Sequence, residues 1–452
     1  MRFREINRAV GILYRLKTAV EKLPEPAARL LAAAPYSWRL GPRYSQSRRE
    51  LRRFASRDAS TQQAWVFARL RDIAMFAYSN VPFYRWFYDR NGFRPKQLAS
   101  LADWHKVPII SKGDLQAFSL QQRAGKLSGS YMTTTGGTSG RALDLYLDRG
   151  AFAREWAHMH AIWGRKGYRP SDLKLTLRGK YFDDGKPIRY NAVHNEYVVN
   201  AAVPFVTVLK AIGASRRFGE IRWIHGYPSL VAELVVLAEA HAPELLRRLR
   251  AQLKGVLLGS EFPAPVYREP ISRMLSENIV SWYGHTEMSV LAEEMTPRVY
   301  RSLPTYGYAE AVAAGAEQRL VATSFHNTAH PFIRYDTEDR IQRVGGEDVS
   351  IQFRMEGGRV GDFILMRDGS QQSLTAMFFG RHHSGYELVS HLQVRQQRPG
   401  VFTLVVTPRR TDTSAEQVRN GFDFPGLDAA WDVELVSEPI RSAAGKIKLK
   451  ID

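Results

Sequence analysis

The sequence predicts an α/β protein: a large N-terminal domain of several sheets with βαβ units, followed by a small α+β domain. Three observations carry this. Between Leu173 and Trp282 short apolar strands alternate with helical segments, the grammar of parallel strands joined by right-handed crossovers. Beyond Arg319 the pattern turns antiparallel. After a glycine cluster near Gly357, Gly358 and Gly361, a shorter mixed segment closes the chain. With 452 residues there is ample material for more than one core. The expected division is 1–57, a basic helical extension; 58–357, the large domain; and 358–452, the small one.

Taken in order, Leu13, Leu16, Val20 and Leu23 recur at helical spacing among many arginines, and a helix over 62–78 stops at Asn80-Val81-Pro82, where proline forbids continuation. Ser111 reads as a helix N-cap. Residues 143–147 alternate as a strand, and a helix covers 150–163. Strands then fall at 173–177, 221–225, 253–258 and 279–282, with helices at 205–212, 229–240 and 265–277 between them. The most apolar helical stretch is 230–246. Residues 319–323 and 332–339 are strands, the second running into a turn. The last part holds strands near 388–396, 402–407 and 432–436 and a helix near 414–420.

Composition narrows the chemistry. Lys and Arg total 64 against 45 Asp and Glu, a net charge of +19, which favours anionic partners without choosing among them. Cysteine is absent, so there is no disulfide, thiolate metal site or cysteine nucleophile. No apolar run approaches the roughly 20 residues of a membrane span, and the basic start lacks a signal peptide's apolar core, so a soluble, cytoplasmic protein is expected. The basic N-terminal stretch packs on the body or, alternatively, lies on an anionic membrane or glycan surface. It lacks the aromatic spacing of a nucleic-acid platform, and no nucleic-acid partner is expected.

The candidate site starts at Thr133-Thr134-Thr135-Gly136-Gly137-Thr138-Ser139-Gly140. Glycines let successive N–H groups turn inward and the hydroxyls add donors, a nest suited to a polyphosphate. A solvated surface loop is the other reading. In open parallel sheets ligands collect at strand carboxyl ends. Those ends are 225–229, 259–262 and 283–287, expected to open onto one crevice.

In order, the chain carries T-T-T-G-G-T-S-G (133–140), G-S-E (259–261), Y-G-H-T-E (283–287), R-Y-D-T-E-D (334–339), G-R-V-G-D (358–362) and G-K-I (445–447). It resembles the adenylate-forming superfamily of acyl-CoA synthetases, and within it the phenylacetate–CoA ligase and capsule-polysaccharide-biosynthesis branch. Asn80-Val81-Pro82-Phe83-Tyr84 and Val107-Pro108-Ile109-Ile110-Ser111-Lys112 are similar to that branch too. The resemblance covers most of 60–452 and implies ATP- and Mg2+-dependent adenylation of a carboxylic acid. The acyl group then passes to CoA, a carrier-protein thiol, or an amine or hydroxyl acceptor.

The roles it implies follow residue by residue. Thr134 to Gly140 cradle the β- and γ-phosphates; Gly259, Ser260 and Glu261 line adenine, on which Tyr283 stacks beside Gly284. Thr286 donates to phosphate or carboxylate. Glu287 is the magnesium ligand, Asp339 accepts the ribose hydroxyls, and Lys446, on a mobile small domain, reaches the carboxylate–phosphate junction. Arg359 and Asp362 lie at the interdomain hinge. His225 borders the acid pocket or is structural. Taken singly, Tyr283 also reads as a buried strand-end aromatic, Glu287 as a helix-N-terminal glutamate and Asp339 as a turn aspartate. Two departures stand out: Glu338 replaces a glycine frequent in the family, and Gly361 replaces an aspartate. A P-loop NTPase is disfavoured because Arg141, not Lys-Ser or Lys-Thr, follows Gly140. A catalytically decayed ligase fold, acting as a basic polysaccharide- or membrane-associated factor, is the remaining alternative.

Overall fold

The structure, a computed structural model, describes residues 25–135, 143–180, 182, 184–201, 203–315, 317–359, 363–369, 371–379, 383–424, 427–441 and 447–451. The helical spacing expected over Leu13 to Leu23 therefore lies outside the described residues. The chain divides into two compact units. One holds residues 34–162 and 282–355; the other holds 25–33, 163–281 and the chain from 356 onward.

In the second unit the predicted parallel sheet is present. Strand Leu173–Lys180 lies between Glu196–Asn200 and Ile221–Gly226, parallel to both, and Gly255–Leu258 continues the same direction. Ile279–Gly284 extends the sheet in parallel through its first three residues. Two strands are additions to the expected set: Ile188–Asn191 pairs antiparallel with Glu196–Asn200. Helix Pro228–His241 begins directly after Ile221–Gly226, with proline at its first turn, where a missing N–H costs nothing. Helix Pro265–Met274 also starts on proline and ends three residues earlier than expected. The expected apolar stretch 230–246 is two helices. Pro243 cannot continue the first, which ends at His241, and opens the second, Pro243–Gln252.

A four-stranded sheet of this unit's described residues carries the C-terminal part. Val389–Arg398 pairs antiparallel with Val401–Pro408 and parallel with Lys450–Ile451; Ala430–Leu435 adds in parallel to Val401–Pro408. Ser414 caps helix Ala415–Gly421 through a reciprocal bond with Gln417.

The first unit is helical at its start and antiparallel at its end. Asp58 accepts from the Thr61 N–H and caps helix Ala59–Asn80. Pro82, which stops that helix, opens Pro82–Arg90, and the latter buries Phe83, Tyr84, Phe87 and Tyr88. Ser111 caps Lys112–Gln116 as the sequence predicts. Tyr131–Thr134 and Asp144–Leu147 form a hairpin. Leu291–Thr296, Val299–Ser302, Gly307–Ala314 and the long Tyr335–Glu347 and Ser350–Arg359 join Glu317–Ser324 in antiparallel order. Gly307 is required by contact: a Cβ there would sit 2.0 Å from the Ser289 carbonyl oxygen.

The strand expected over 332–339 is displaced. It starts at Tyr335 and runs on to Glu347 with no terminating turn at 339. Arg334 and Glu338 both take left-handed backbone, φ 45° and 63°, and the pairing register jumps from Val321↔Asp336 to Arg319↔Arg340. Residues 337–339 therefore bulge where the sequence suggests a turn.

Candidate active site

Within the first unit, two motifs about fifty residues apart clasp each other. The strand Ile279–Gly284 delivers Tyr283 to its end, and the phenol donates to the carboxylate of buried Asp339. Glu287 follows in a turn rather than at a helix start, so the helix-dipole reading of this residue is ruled out. Its buried carboxylate accepts from His285 Nδ1 at 3.0 Å and takes a longer contact from the Tyr335 hydroxyl at 3.4 Å. Because an ionised carboxylate only accepts, His285 Nδ1 carries the proton; in the neutral ring Nε2 then accepts from the Ser289 hydroxyl at 3.3 Å. The bulge at 337–339 is what aims Asp339 at Tyr283: Thr337 ties its hydroxyl to the Leu320 carbonyl, and the Asp339 N–H reaches back to that hydroxyl. Thr286 shares the turn and is half-buried.

Arg334, first residue of the R-Y-D-T-E-D motif, is a structural clamp. Its guanidinium donates to the carbonyls of His105 and Val107 at 2.7 and 2.6 Å and pairs with Glu310 at 3.0 Å. Trp104 Nε1 adds a bond to the same carboxylate. Burial pushes the Glu310 carboxyl up, and Arg334 opposes that shift. The Ile110 N–H on the Arg334 carbonyl and the Asp336 N–H on the Ile110 carbonyl seat the Val107–Lys112 segment against the strand. Sequence reasoning assigned Arg334 no role of its own; its signal there is membership of the R-Y-D-T-E-D motif.

At the base of the glycine-rich loop, Thr135 is buried, donates its backbone N–H to the Leu143 carbonyl and accepts the Leu143 N–H on its hydroxyl at 2.9 Å. Thr134 ends the hairpin's first strand. Gly136, Gly137, Thr138, Ser139 and Gly140 lie outside the described residues, as do Asp362 and Lys446; Arg359 is the last residue of its strand.

In the second unit, two of the three expected strand ends come together. The Gly259 N–H donates to the Gly226 carbonyl. Glu261 accepts the Ser229 N–H at 3.3 Å and its hydroxyl at 2.7 Å, placing a carboxylate at the start of a 14-residue helix, where the dipole favours it. Ser260 sits at φ 68° and its hydroxyl accepts from Arg178 at 3.2 Å. Arg178, which sequence reasoning left out of the site and which is legible only as a charge near a strand end, brings a cation to this turn. The third expected end, 283–287, belongs to the first unit.

His225 is buried in the sheet against Trp163, ring centroids 5.1 Å apart. Burial, then the Arg178 and Lys174 charges, hold it well below the usual imidazole range, so it is neutral. Beside it, fully buried Lys174 faces its cross-strand partner Glu196 at 3.0 Å, and Thr176 donates to the same carboxylate at 2.7 Å.

Comparison with known proteins adds three findings. No family model matches the chain. The phenylacetate-coenzyme A ligase of Aromatoleum evansii is 48% identical over 54 residues, which is 12% of this chain and spans only 12% of that protein's length. Among solved structures, 2-hydroxyisobutyryl-CoA ligase in its postadenylation state with R3-HIB-AMP has a TM-score of 0.62 at 18% identity, covering 87% of this chain and 90% of that one. The acyl acid amido synthetase GH3.15 has a TM-score of 0.53 at 13% identity, over 81% and 85%. The chain thus has the fold of the adenylate-forming ligases, as its ordered motifs led one to expect.

Proposed function

We propose that this chain activates a carboxylic acid with ATP and passes the acyl group to coenzyme A. In the first step a carboxylate oxygen attacks the α-phosphorus; the bond to the β-phosphate breaks and pyrophosphate leaves, giving acyl-AMP. In the second, the CoA thiol attacks the acyl carbon, loses its proton and expels AMP. The observation that carries the reading is the clasp between Tyr283-to-Glu287 and Tyr335-to-Asp339, which brings Tyr283, Glu287 and Asp339 into one unit. Support comes from the fold shared with a CoA ligase bound to an acyl-adenylate.

In this reading Tyr283 stacks on adenine, Asp339 takes the ribose hydroxyls, and the 134–140 loop holds the β- and γ-phosphates. Lys446 neutralises charge building at the reacting phosphorus. Among the described residues no group of three or more His, Asp or Glu is placed to hold a metal by itself. Magnesium takes one or two carboxylates and shares the rest of its shell with water and phosphate. Glu287, held by His285 and Tyr335, is the carboxylate that would bind it. Magnesium would supply charge neutralisation on the triphosphate. The 54-residue likeness favours an aryl-acetate type of acid. Further proposals are the division 1–57, 58–357 and 358–452, with Arg359 at a hinge, and a membrane or glycan contact through the basic N-terminus.

The test is pyrophosphate release with aryl, fatty and amino acids, with and without CoA. Acid-dependent release, raised by CoA, is expected. No release with any acid would remove the reading.

A further inference from the structure

The turn after strand Ile279–Gly284 carries a histidine to which the ligase reading gives no work. His285 lies between Tyr283 and Glu287, and its side chain is only 2% exposed. Nδ1 donates to Glu287 Oε2 at 3.0 Å, and Nε2 accepts from the hydroxyl of buried Ser289 at 3.3 Å. The ring also stands edge-on to Tyr283, with centroids 6.1 Å apart and planes inclined by 71°. Three neighbours therefore fix the plane and the rotamer of the imidazole.

The backbone is shaped for this contact. Met288 donates its N–H to the His285 carbonyl at 3.1 Å and takes left-handed backbone, φ 53°. That conformation disfavours a residue with a Cβ and persists where the surroundings impose it, often at functional sites. The tight turn brings side chains two residues apart within hydrogen-bond distance.

These bonds do not tie distant parts of the chain together. His285, Glu287 and Ser289 all lie in one turn, whereas a contact that holds the fold crosses it, as Arg334 does in reaching His105 and Val107. A local donor on a buried carboxylate sets the direction in which its oxygens point. Carboxylates that bind metal are themselves hydrogen-bonded, and the partners that orient them govern the affinity.

We propose that His285, braced by Ser289, is a positioning residue that aims Glu287 at the divalent cation of a bound nucleotide. This rests on the reading of Glu287 as the magnesium ligand. Without the imidazole the carboxylate can turn, so cation binding should weaken roughly 10- to 100-fold while the chain stays folded.

The experiment uses the full chain with His285→Leu, His285→Asn, Ser289→Ala and, as reference, Glu287→Gln. The probe is manganese ion, a paramagnetic stand-in for magnesium, titrated into chain held in excess over α,β-methylene-ATP and followed by electron paramagnetic resonance. Thermal unfolding without nucleotide or metal runs in parallel. His285→Leu removes the donor and should lose manganese affinity by the factor above. His285→Asn places an amide N–H near the position of Nδ1 and should recover most of it. Ser289→Ala loosens the ring and should weaken binding by less than about 10-fold. A folded His285→Leu chain that binds manganese like the wild type overturns the proposal, as does His285→Asn binding no better than His285→Leu. Should His285→Leu fail to fold, Ser289→Ala decides, and unchanged manganese affinity there overturns the proposal. Wild-type manganese binding by Glu287→Gln overturns instead the metal reading of Glu287, and the role of His285 falls with it.

Discussion

The phenol of Tyr283 donates to the carboxylate of Asp339, joining a strand end to a bulge about fifty residues later. A hydrogen bond to an ionised group contributes about 1.5–3 kcal/mol. Tyr283→Phe keeps a flat face for stacking and removes only this bond. The expected result is a loss of stability of that order by urea unfolding, with the ATP KM moved much less than by Asp339→Ala. Equal KM effects from the two substitutions would assign the hydroxyl, not the ring, to nucleotide binding.

Glu338 occupies left-handed backbone, φ 63°, which costs a residue with a Cβ about 1–2 kcal/mol. Glu338→Gly relieves this strain, and the greater entropy of the unfolded chain offsets part of the gain, so a net stabilisation of about 1 kcal/mol is expected. Thermal unfolding of the variant checks it. A destabilised variant would mean that the Glu338 side chain stabilises the bulge by more than its strain costs.

Lys174 and Glu196 lie opposite each other in the buried parallel sheet. Lys174→Met strands the carboxylate and should cost about 3–5 kcal/mol, whereas Lys174→Met with Glu196→Leu should recover most of it. Denaturant midpoints of the two variants decide. A single variant as stable as the wild type would show that other neighbours satisfy Glu196 without the lysine.

His158 is buried, with Nδ1 against the Arg154 carbonyl at 2.8 Å and Nε2 against the Thr305 hydroxyl at 3.1 Å. A carbonyl cannot donate, so Nδ1 carries the proton and Nε2 accepts. Burial pulls this imidazole down to about 4 from 6.5. The folded pKa is the lower one, so between those values the unfolded chain binds more protons. Stability from this group is full above about pH 6.5 and falls as pH drops toward 4, by about 3 kcal/mol in total. His158→Asn should flatten that limb of a stability–pH curve; an unchanged slope would discard the assignment.

Legibility in the sequence followed the range of the forces involved. Local rules located the Ser111 cap, the Pro82 stop and the parallel strands, because proline geometry and apolar runs act over a few residues. The motif order placed Tyr283, Glu287 and Asp339, which the fold brings to one unit. Sequence could not show that Arg334 reaches the carbonyls of His105 and Val107, since that contact spans more than two hundred residues and leaves no periodic trace. The bulge at 337–339 was misread as a turn for a similar reason: the local signal is the same, and only the partner strand distinguishes them. Strands such as Gly307–Ala314 were missed because alanine-rich segments carry little alternation.

Gln393, in strand Val389–Arg398, carries no charge, and its side-chain amide bonds the Ile440 N–H and the carbonyls of Ile440 and Lys448. Acid or salt weakens the grip of Glu233 on Arg441, yet leaves the three amide bonds around Ile440 and Lys448 in place. The holds on this segment should therefore fail separately, the charged Arg441–Glu233 pair first and the uncharged Gln393 bonds at Ile440 and Lys448 later, rather than all at once. Solution conditions would set how far it loosens, while the uncharged stitch keeps it within reach to reattach.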